Sequence, residues 1–473
     1  MYDAIIIGGG VIGCAIARYL SMYQGKFLVL ERHNDVGEET TNANSGIVHS
    51  GYDPLPGTLK AKFNVLGCKM MEQVSNELDV PFIKNGSLTI GFNDEDLKIL
   101  EELLKRAKTN GVDAKIINKD ELNKMEPNLN QSCKFALYCK DAGIISPFNL
   151  CVGFMENAMD NGVELMLNSE VSKIDKIDSF YRVFIKNNKF YDTKVLINCT
   201  GTNSENVTNL IEKPNFKIIP KKGEYILFDH FNKDFVHSTL FMCPTKLGKG
   251  VLFSPTTSLN YFIGPNNVDS TLTDTSTDSS SFIYIKKEAS KLVNNLPLKE
   301  TIREFAGVRA NTDKDDFIIY ESKINKSFIN VAGISSPGLA SSPAIGKYVA
   351  NMVKIILNLK ENINFNPYVK KHPKISNQNE YNALIKLNQL YGHMICRCEK
   401  ISEGQIIDVI HRNCGARTIK GVKKRIRAGF GKCQGTFCQD EVIKILAREL
   451  KTSIDNIKYS EVNTTILKYK SKE

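Results

Sequence analysis

Asp3-Ala4-Ile5-Ile6-Ile7-Gly8-Gly9-Gly10-Val11-Ile12-Gly13 stands at the start of the chain. Residues 3–7 form the short apolar run expected of a parallel strand buried on both faces. Gly8, Gly10 and Gly13 satisfy G-x-G-x-x-G, residues 14–22 can continue as a helix, residues 27–30 read as a second strand, and Glu31 closes it. Strand, glycine turn, helix, strand and acid together are the context that turns a glycine pattern into a dinucleotide site. Gly8 permits the tight turn, Gly10 lets a pyrophosphate approach the backbone, and Gly13 lets helix and sheet pack closely. The phosphates belong at the helix N-terminus. Glu31 would accept hydrogen bonds from the adenosine ribose, and its charge disfavours the 2′-phosphate of NADP. These residues do not say which other dinucleotide binds.

Working outward, the rest of the 473 residues has a globular composition, 42% hydrophobic and 24% charged, with room for two or three domains. No run approaches the roughly 18 apolar residues of a membrane span. The start leads straight into a strand, so neither a signal nor a transit peptide is expected there. The formal charge of +10 is read as a Lys-rich cytoplasmic protein, with no nucleic acid expected.

After the second strand, residues 40–51 are polar and irregular, suited to lining a ligand crevice, and His49 is their only imidazole. It is either a base for a substrate hydroxyl or an ordinary loop histidine. A helix is expected from about residue 59 to 78, a strand at 86–92, and an exposed amphipathic helix at 94–110. Residues 195–200 read as a strand that runs into Gly201. Residues 216–265 are rich in strands, and 267–281 read as a Ser/Thr/Asp-rich surface connection. Arg309 either clamps an anionic substrate or makes a structural ion pair. Tyr225 either offers its hydroxyl to the same pocket or packs in a sheet core. A further strand, residues 328–332, ends in a glycine turn at 333–338, and a helix is expected over 342–359. That unit is a second place to cradle the cofactor.

Five of the twelve cysteines lie in residues 396–438. Cys396-Arg397-Cys398 and Cys433-Gln434-Gly435-Thr436-Phe437-Cys438 offer four thiolates for zinc or a [2Fe-2S] centre. The C-x-C and C-x₄-C spacings match neither the usual zinc knuckles nor the common ferredoxins, so spacing leaves the metal open. Cys414 reads as a packing or spare thiol. Ser402 and Gln405 form a capping box at a helix start. Residues 420–432 carry Lys423, Lys424, Arg425 and Arg427 without an acid. They read as a solvated basic helix, or as cations beside an anionic cluster that also dock an acidic partner.

Residues 1–357 resemble the FAD-dependent oxidoreductase superfamily that contains D-amino acid oxidase, glycerol-3-phosphate dehydrogenase and L-2-hydroxyglutarate dehydrogenase. The segments that carry the resemblance are Gly8 to Gly13, Glu31, residues 44–51, residues 56–61, Gly307-Val308-Arg309 and Ser336-Pro337-Gly338-Leu339. Residues 391–450 resemble the bacterioferritin-associated-ferredoxin-like [2Fe-2S] domain. The combination is most similar to glycerol-3-phosphate dehydrogenases of anaerobic type. The resemblance implies an α/β fold in which a Rossmann-like FAD-binding domain is interleaved with a β-rich α+β substrate domain, followed by a small helical [2Fe-2S] domain. Its boundaries would be 1–80, 150–215 and 320–360 for FAD, 81–149 and 216–319 for substrate, 361–390 for a linker, 391–455 for the iron–sulfur domain and 456–473 for a tail. It implies FAD contacts from Gly8, Gly10, Gly13, Glu31, Thr41, Asn44, Ser45, Gly201, Gly338 and Leu339. His49, Arg309 and Tyr225 would serve the substrate, and Cys396, Cys398, Cys433 and Cys438 the cluster. The implied reaction oxidises sn-glycerol 3-phosphate to dihydroxyacetone phosphate. Electrons would leave through the cluster to a quinone-linked carrier or partner subunit, in a cytoplasmic protein, an oligomer or one held at the inner membrane face through its partner. L-2-hydroxyglutarate or another 2-hydroxyacid, an opine or amine, and a non-catalytic iron–sulfur or nucleic-acid-binding role are the alternatives.

Overall fold

The computed structural model describes residues 1–244, 250–373, 375, 377–461 and 463–467. Residues 245–249 of the strand-rich middle, 374 and 376 of the expected linker, and 462 and 468–473 of the expected tail lie outside the described residues.

An eight-stranded sheet is built around the opening strand Tyr2–Ile7. Phe27–Leu30 pairs with it in parallel on one side, with Ile6 opposite Val29, and Phe190–Asn198 on the other, with Ile6 opposite Ile197. Glu164–Met166 and Phe328–Ala332 extend the parallel part outward. The strand period of two sends Ala4 and Ile6 into one core and Ile5 and Ile7 into another. The first core packs under the helices Val11–Leu20, Pro147–Asp160 and Gly338–Leu357. The second packs under the antiparallel meander Val171–Ile177 and Phe180–Ile185. Both faces are therefore covered, which is why the strands read as unbroken apolar runs.

A nine-stranded, mostly antiparallel sheet forms the second body. Its spine is the long pair Ile218–Phe228 and Thr301–Thr312, with Gly223 opposite Gly307 and Lys221 opposite Arg309. The third body holds a two-stranded ladder, Met394–Cys396 with Ile401–Ser402, and the helices Glu403–His411, Ile419–Ile426 and Gln439–Glu449. Ile406, Ile410, Val422 and Leu446 are its core.

Several elements differ from the sequence reading. The first helix starts at Val11, inside the glycine motif, because the motif's last glycine belongs to the helix. The helix expected from residue 342 starts at Gly338, with Pro343 inside it. Proline cannot bond the carbonyl four residues back, and the Ser342 hydroxyl donates to that Leu339 carbonyl instead, at 2.8 Å. Within and beyond the stretch read as a surface connection, a helix runs Ser279–Ala289, capped by Asp278, which accepts from the Ser281 amide at 2.9 Å. The linker stretch contains a helix, Gln378–Leu387.

The largest correction concerns the basic run. In the helix Ile419–Ile426, Lys423, Lys424 and Arg425 are buried, not solvated. Arg425 donates two hydrogen bonds to Asp35, at 2.7 and 2.9 Å, and Lys420 and Lys424 reach Glu38 at 2.8 and 2.5 Å. Arg412 of the same body pairs with Glu156 at 2.7 Å. The missing acids of residues 420–432 are supplied by the loop that follows Glu31. Among the described residues no helix is long and apolar enough to cross a membrane.

Candidate functional site

A cavity of about 1170 Å³ opens along the C-terminal ends of the parallel strands. That is where an open α/β sheet binds its ligand. Gly8, Gly10, Glu31, Thr41, Asn44, Ser45, Gly201, Gly338 and Leu339 line it, together with His49, Tyr225 and Arg309. Gly13 does not. It lies behind the wall, where a Cβ would stand 2.0 Å from the Gly8 carbonyl oxygen, so its task is close packing of helix on turn. Gly8 has φ +107°, a conformation that glycine adopts at no steric cost.

Glu31 is buried and accepts hydrogen bonds from the Gly9 amide at 2.6 Å and the His33 amide at 2.8 Å. Burial pushes its carboxyl up, and the two amides oppose that. The Thr41 hydroxyl accepts from the Val11 amide at 3.1 Å, tying the loop to the helix start. Asn44 closes the same loop on itself. Its amide donates to the Thr40 and Thr41 carbonyls, and its carbonyl accepts from Gly46.

Arg309 points across its strand pair over Gly223. A Cβ on Gly223 would fall 2.1 Å from Arg309 Nη2. Arg309 donates to the Asn267 side chain at 3.1 Å and the Asn266 carbonyl at 3.3 Å. Asn266 is held in turn by Glu224, whose carboxylate accepts from it at 2.9 Å. Asn266 and Glu224 are parts of this arrangement that the sequence reading missed. The only signal was their place beside Gly223 and a Gly-Pro turn. Tyr225 is buried and stacks on Phe305 with centroids 4.8 Å apart. His49 lies against Phe241, ring centroids 5.5 Å apart.

Next to Glu31, His33 bonds Glu39 at 2.9 Å and Glu461 at 3.1 Å, and Arg32 also pairs with Glu39. Burial disfavours the charged imidazole, but the Glu39 hydrogen bond and the Glu31 and Glu461 charges outweigh it and raise His33 to about 9.

In the third body, Cys398 and Cys433 have their sulfurs 3.7 Å apart. Cys438 donates to Cys396, which lowers the Cys396 thiol to about 6. The Gly429 amide also donates to Cys396, at 3.5 Å. Gly431 leaves room for Cys398, since a Cβ there would fall 2.6 Å from the Cys398 Cβ. Lys423 is buried beside these thiols and lowered to about 8, first by burial and then by Arg303 and Arg427. Cys414 is buried elsewhere, with its carbonyl bonded to Arg425.

Residues 3–352 match the family of FAD dependent oxidoreductases, and residues 394–448 match the BFD-like [2Fe-2S] binding domain. The chain belongs to the FAD dependent oxidoreductase family. Among its relatives, a glycerol 3-phosphate dehydrogenase of Caloramator mitchellensis is 45% identical over 99% of this chain and 98% of its own. A glycerol 3-phosphate oxidase of Mycoplasma genitalium is 34% identical over 77% of this chain and 97% of its own. The solved structure of dithionite-reduced L-α-glycerophosphate oxidase from Mycoplasma pneumoniae, with FAD bound, superposes with a TM-score of 0.73 at 30% identity, over 78% of this chain and 98% of that one.

The residues of this FAD dependent oxidoreductase fit its cofactors. The Gly8–Gly10 turn faces the cavity, and a Cβ on Gly10 would approach only the Thr41 hydroxyl, at 3.5 Å, so the backbone is open to a pyrophosphate. Glu31 lines the same wall and would be the residue to accept hydrogen bonds from the cofactor's ribose. The donor set of the third body is four thiols in two pairs. Among the described residues no three metal-ligating side chains form a single-ion site. A [2Fe-2S] cluster has a different need, since each iron takes two thiolates.

Proposed function

We propose that this oxidoreductase converts sn-glycerol 3-phosphate to dihydroxyacetone phosphate and passes the electrons through its [2Fe-2S] domain to a one-electron acceptor. The observation that carries the reading is Arg309, held in the cavity wall by Asn266 and Asn267 and, among the described residues, by no carboxylate. A guanidinium in a cofactor cavity whose hydrogen-bond partners are neutral keeps its charge available for a phosphate. His49 lines the same cavity and, as a neutral imidazole, takes the C2 hydroxyl proton. Tyr225, rigid against Phe305, forms the wall between strands and limits how the substrate tilts. FAD, when bound, supplies the two-electron acceptor for the carbinol C–H bond. The similarity to a glycerol 3-phosphate dehydrogenase over nearly the whole chain supports the substrate, and the thiol quartet supports a stepwise electron exit.

The test is anaerobic mixing of the holoenzyme with sn-glycerol 3-phosphate, L-2-hydroxyglutarate and an opine, followed in the visible spectrum. Glycerol phosphate is expected to bleach the flavin and then the iron–sulfur bands. If it leaves both unchanged while another substrate bleaches them, the substrate assignment is wrong.

A further inference from the structure

The cations of the iron–sulfur domain described so far are spent inward. Arg425 holds Asp35, Lys420 and Lys424 hold Glu38, Arg412 holds Glu156, and Arg427 holds Glu399. One face is left open. Cys396 and Cys438 are buried whereas Cys398 is exposed, so the thiol quartet turns one edge to solvent. Flanking that edge in the chain, Arg397 and Lys400 are exposed, and neither makes an ion pair among the described residues. Lys432 precedes Cys433, is 69% exposed, and among the described residues reaches only Glu300, at 3.4 Å. Phe437 precedes Cys438 and is 85% exposed. Its turn is fixed by Thr436 and Cys438 amides that donate to the Cys433 and Gly435 carbonyls, so the ring is displayed and not collapsed onto the core. On the helix that follows, Asp440 is exposed and Glu441 is paired with Lys444 at 2.7 Å. Among the described residues, two unpaired cations, Arg397 and Lys400, and a third, Lys432, that shares Glu300 therefore stand against one unpaired acid, Asp440, around an exposed thiol and an exposed aromatic ring.

We propose that this face docks a small acidic protein that carries a one-electron redox centre. The inference rests on the electron exit proposed above. Charge complementarity selects an acidic partner, and the unpaired aromatic ring supplies the apolar anchor that such transient interfaces use. A lipid surface matches the same charges but accepts no electron. In each encounter one electron passes from the reduced cluster to the oxidised carrier. One substrate therefore reduces two carriers and releases two protons to water.

The probe is oxidised rubredoxin, an acidic iron protein, mixed anaerobically with the full-length holoenzyme. The enzyme is reduced either by glycerol 3-phosphate or by dithionite with the excess removed. The variant is Lys400→Glu/Lys432→Glu, with its flavin and cluster spectra recorded first, and Lys400→Arg/Lys432→Arg is the control. Rubredoxin reduction by the Glu variant is expected to fall on the order of tenfold at low salt and to lose its salt dependence. The Arg variant should keep both, and Phe437→Ser should slow transfer at every salt concentration. A Glu variant with the wild-type rate and salt dependence overturns the proposal. So does co-sedimentation of the wild type with phosphatidylglycerol vesicles that the Glu variant loses while its rubredoxin reduction is unchanged. If glycerol 3-phosphate reduces nothing but the dithionite-reduced enzyme behaves as expected, the substrate reading fails and the docking face stands.

Discussion

Gly223 and Arg309 are a matched pair. A methyl group on Gly223 would fall 2.1 Å from Arg309 Nη2, so the guanidinium can lie across the strand only over a residue without a side chain. Gly223→Ala is therefore expected to displace Arg309 and raise KM for an anionic substrate by about tenfold or more, the same direction expected of Arg309→Ala, with kcat less affected. Steady-state kinetics of the two variants check this, and an unchanged KM in Gly223→Ala refutes it. His33 makes a pH prediction. Its value is raised from 6.5 to about 9, so the stabilisation it draws from Glu39, Glu31 and Glu461 is full below 6.5 and lost as the pH rises through 9. Melting of the wild type should fall relative to His33→Gln between pH 6 and pH 9.5, and parallel curves would count against it. At this scale the sequence was legible where a residue's task is local. Gly13 packs the helix and Glu31 faces the cavity. Asn266 was not legible, because it acts on Arg309 from 43 positions away.

Among elements, those with their own start and stop signals could be read directly. The helix Asp94–Asn110 has Asn93 as its cap and Gly111 at its end, and Ser402 with Gln405 forms a capping box. The helix Ile419–Ile426 shows what sequence cannot carry. Its charges looked solvated because their partners, Asp35 and Glu38, lie nearly the whole chain away. Both members of the Arg425–Asp35 pair are buried, so removing one leaves the other uncompensated. Asp35→Asn is expected to cost about 3–5 kcal/mol, whereas the double variant Asp35→Leu/Arg425→Met should recover much of the loss. Denaturant melts of the single and double variants measure it. A single variant as stable as the wild type would show that the pair contributes nothing.

At the scale of the molecule, the three bodies meet at the loop 31–41. That loop carries Glu31 and Thr41 on the cofactor side and Asp35 and Glu38 on the side of the iron–sulfur domain. Glu461, beyond the last helix of the iron–sulfur domain, reaches the same place and bonds His33. Ending the chain near residue 390 is therefore expected to leave this loop unfixed and to weaken FAD retention on the order of tenfold, since ordering each residue costs about 1–2 kcal/mol. The flavin-to-protein absorbance ratio after gel filtration reads this directly, and full flavin content in the shortened chain would refute it. The Mycoplasma relatives, which match only about three quarters of this chain while nearly spanning their own length, hold the same fold without a counterpart to the remainder. The ion pairs at Asp35 and Glu38 consequently set a rule for grafting. A [2Fe-2S] domain transplanted from another protein will seat here only if it brings its own cations for those two carboxylates, or if the two carboxylates are exchanged along with it.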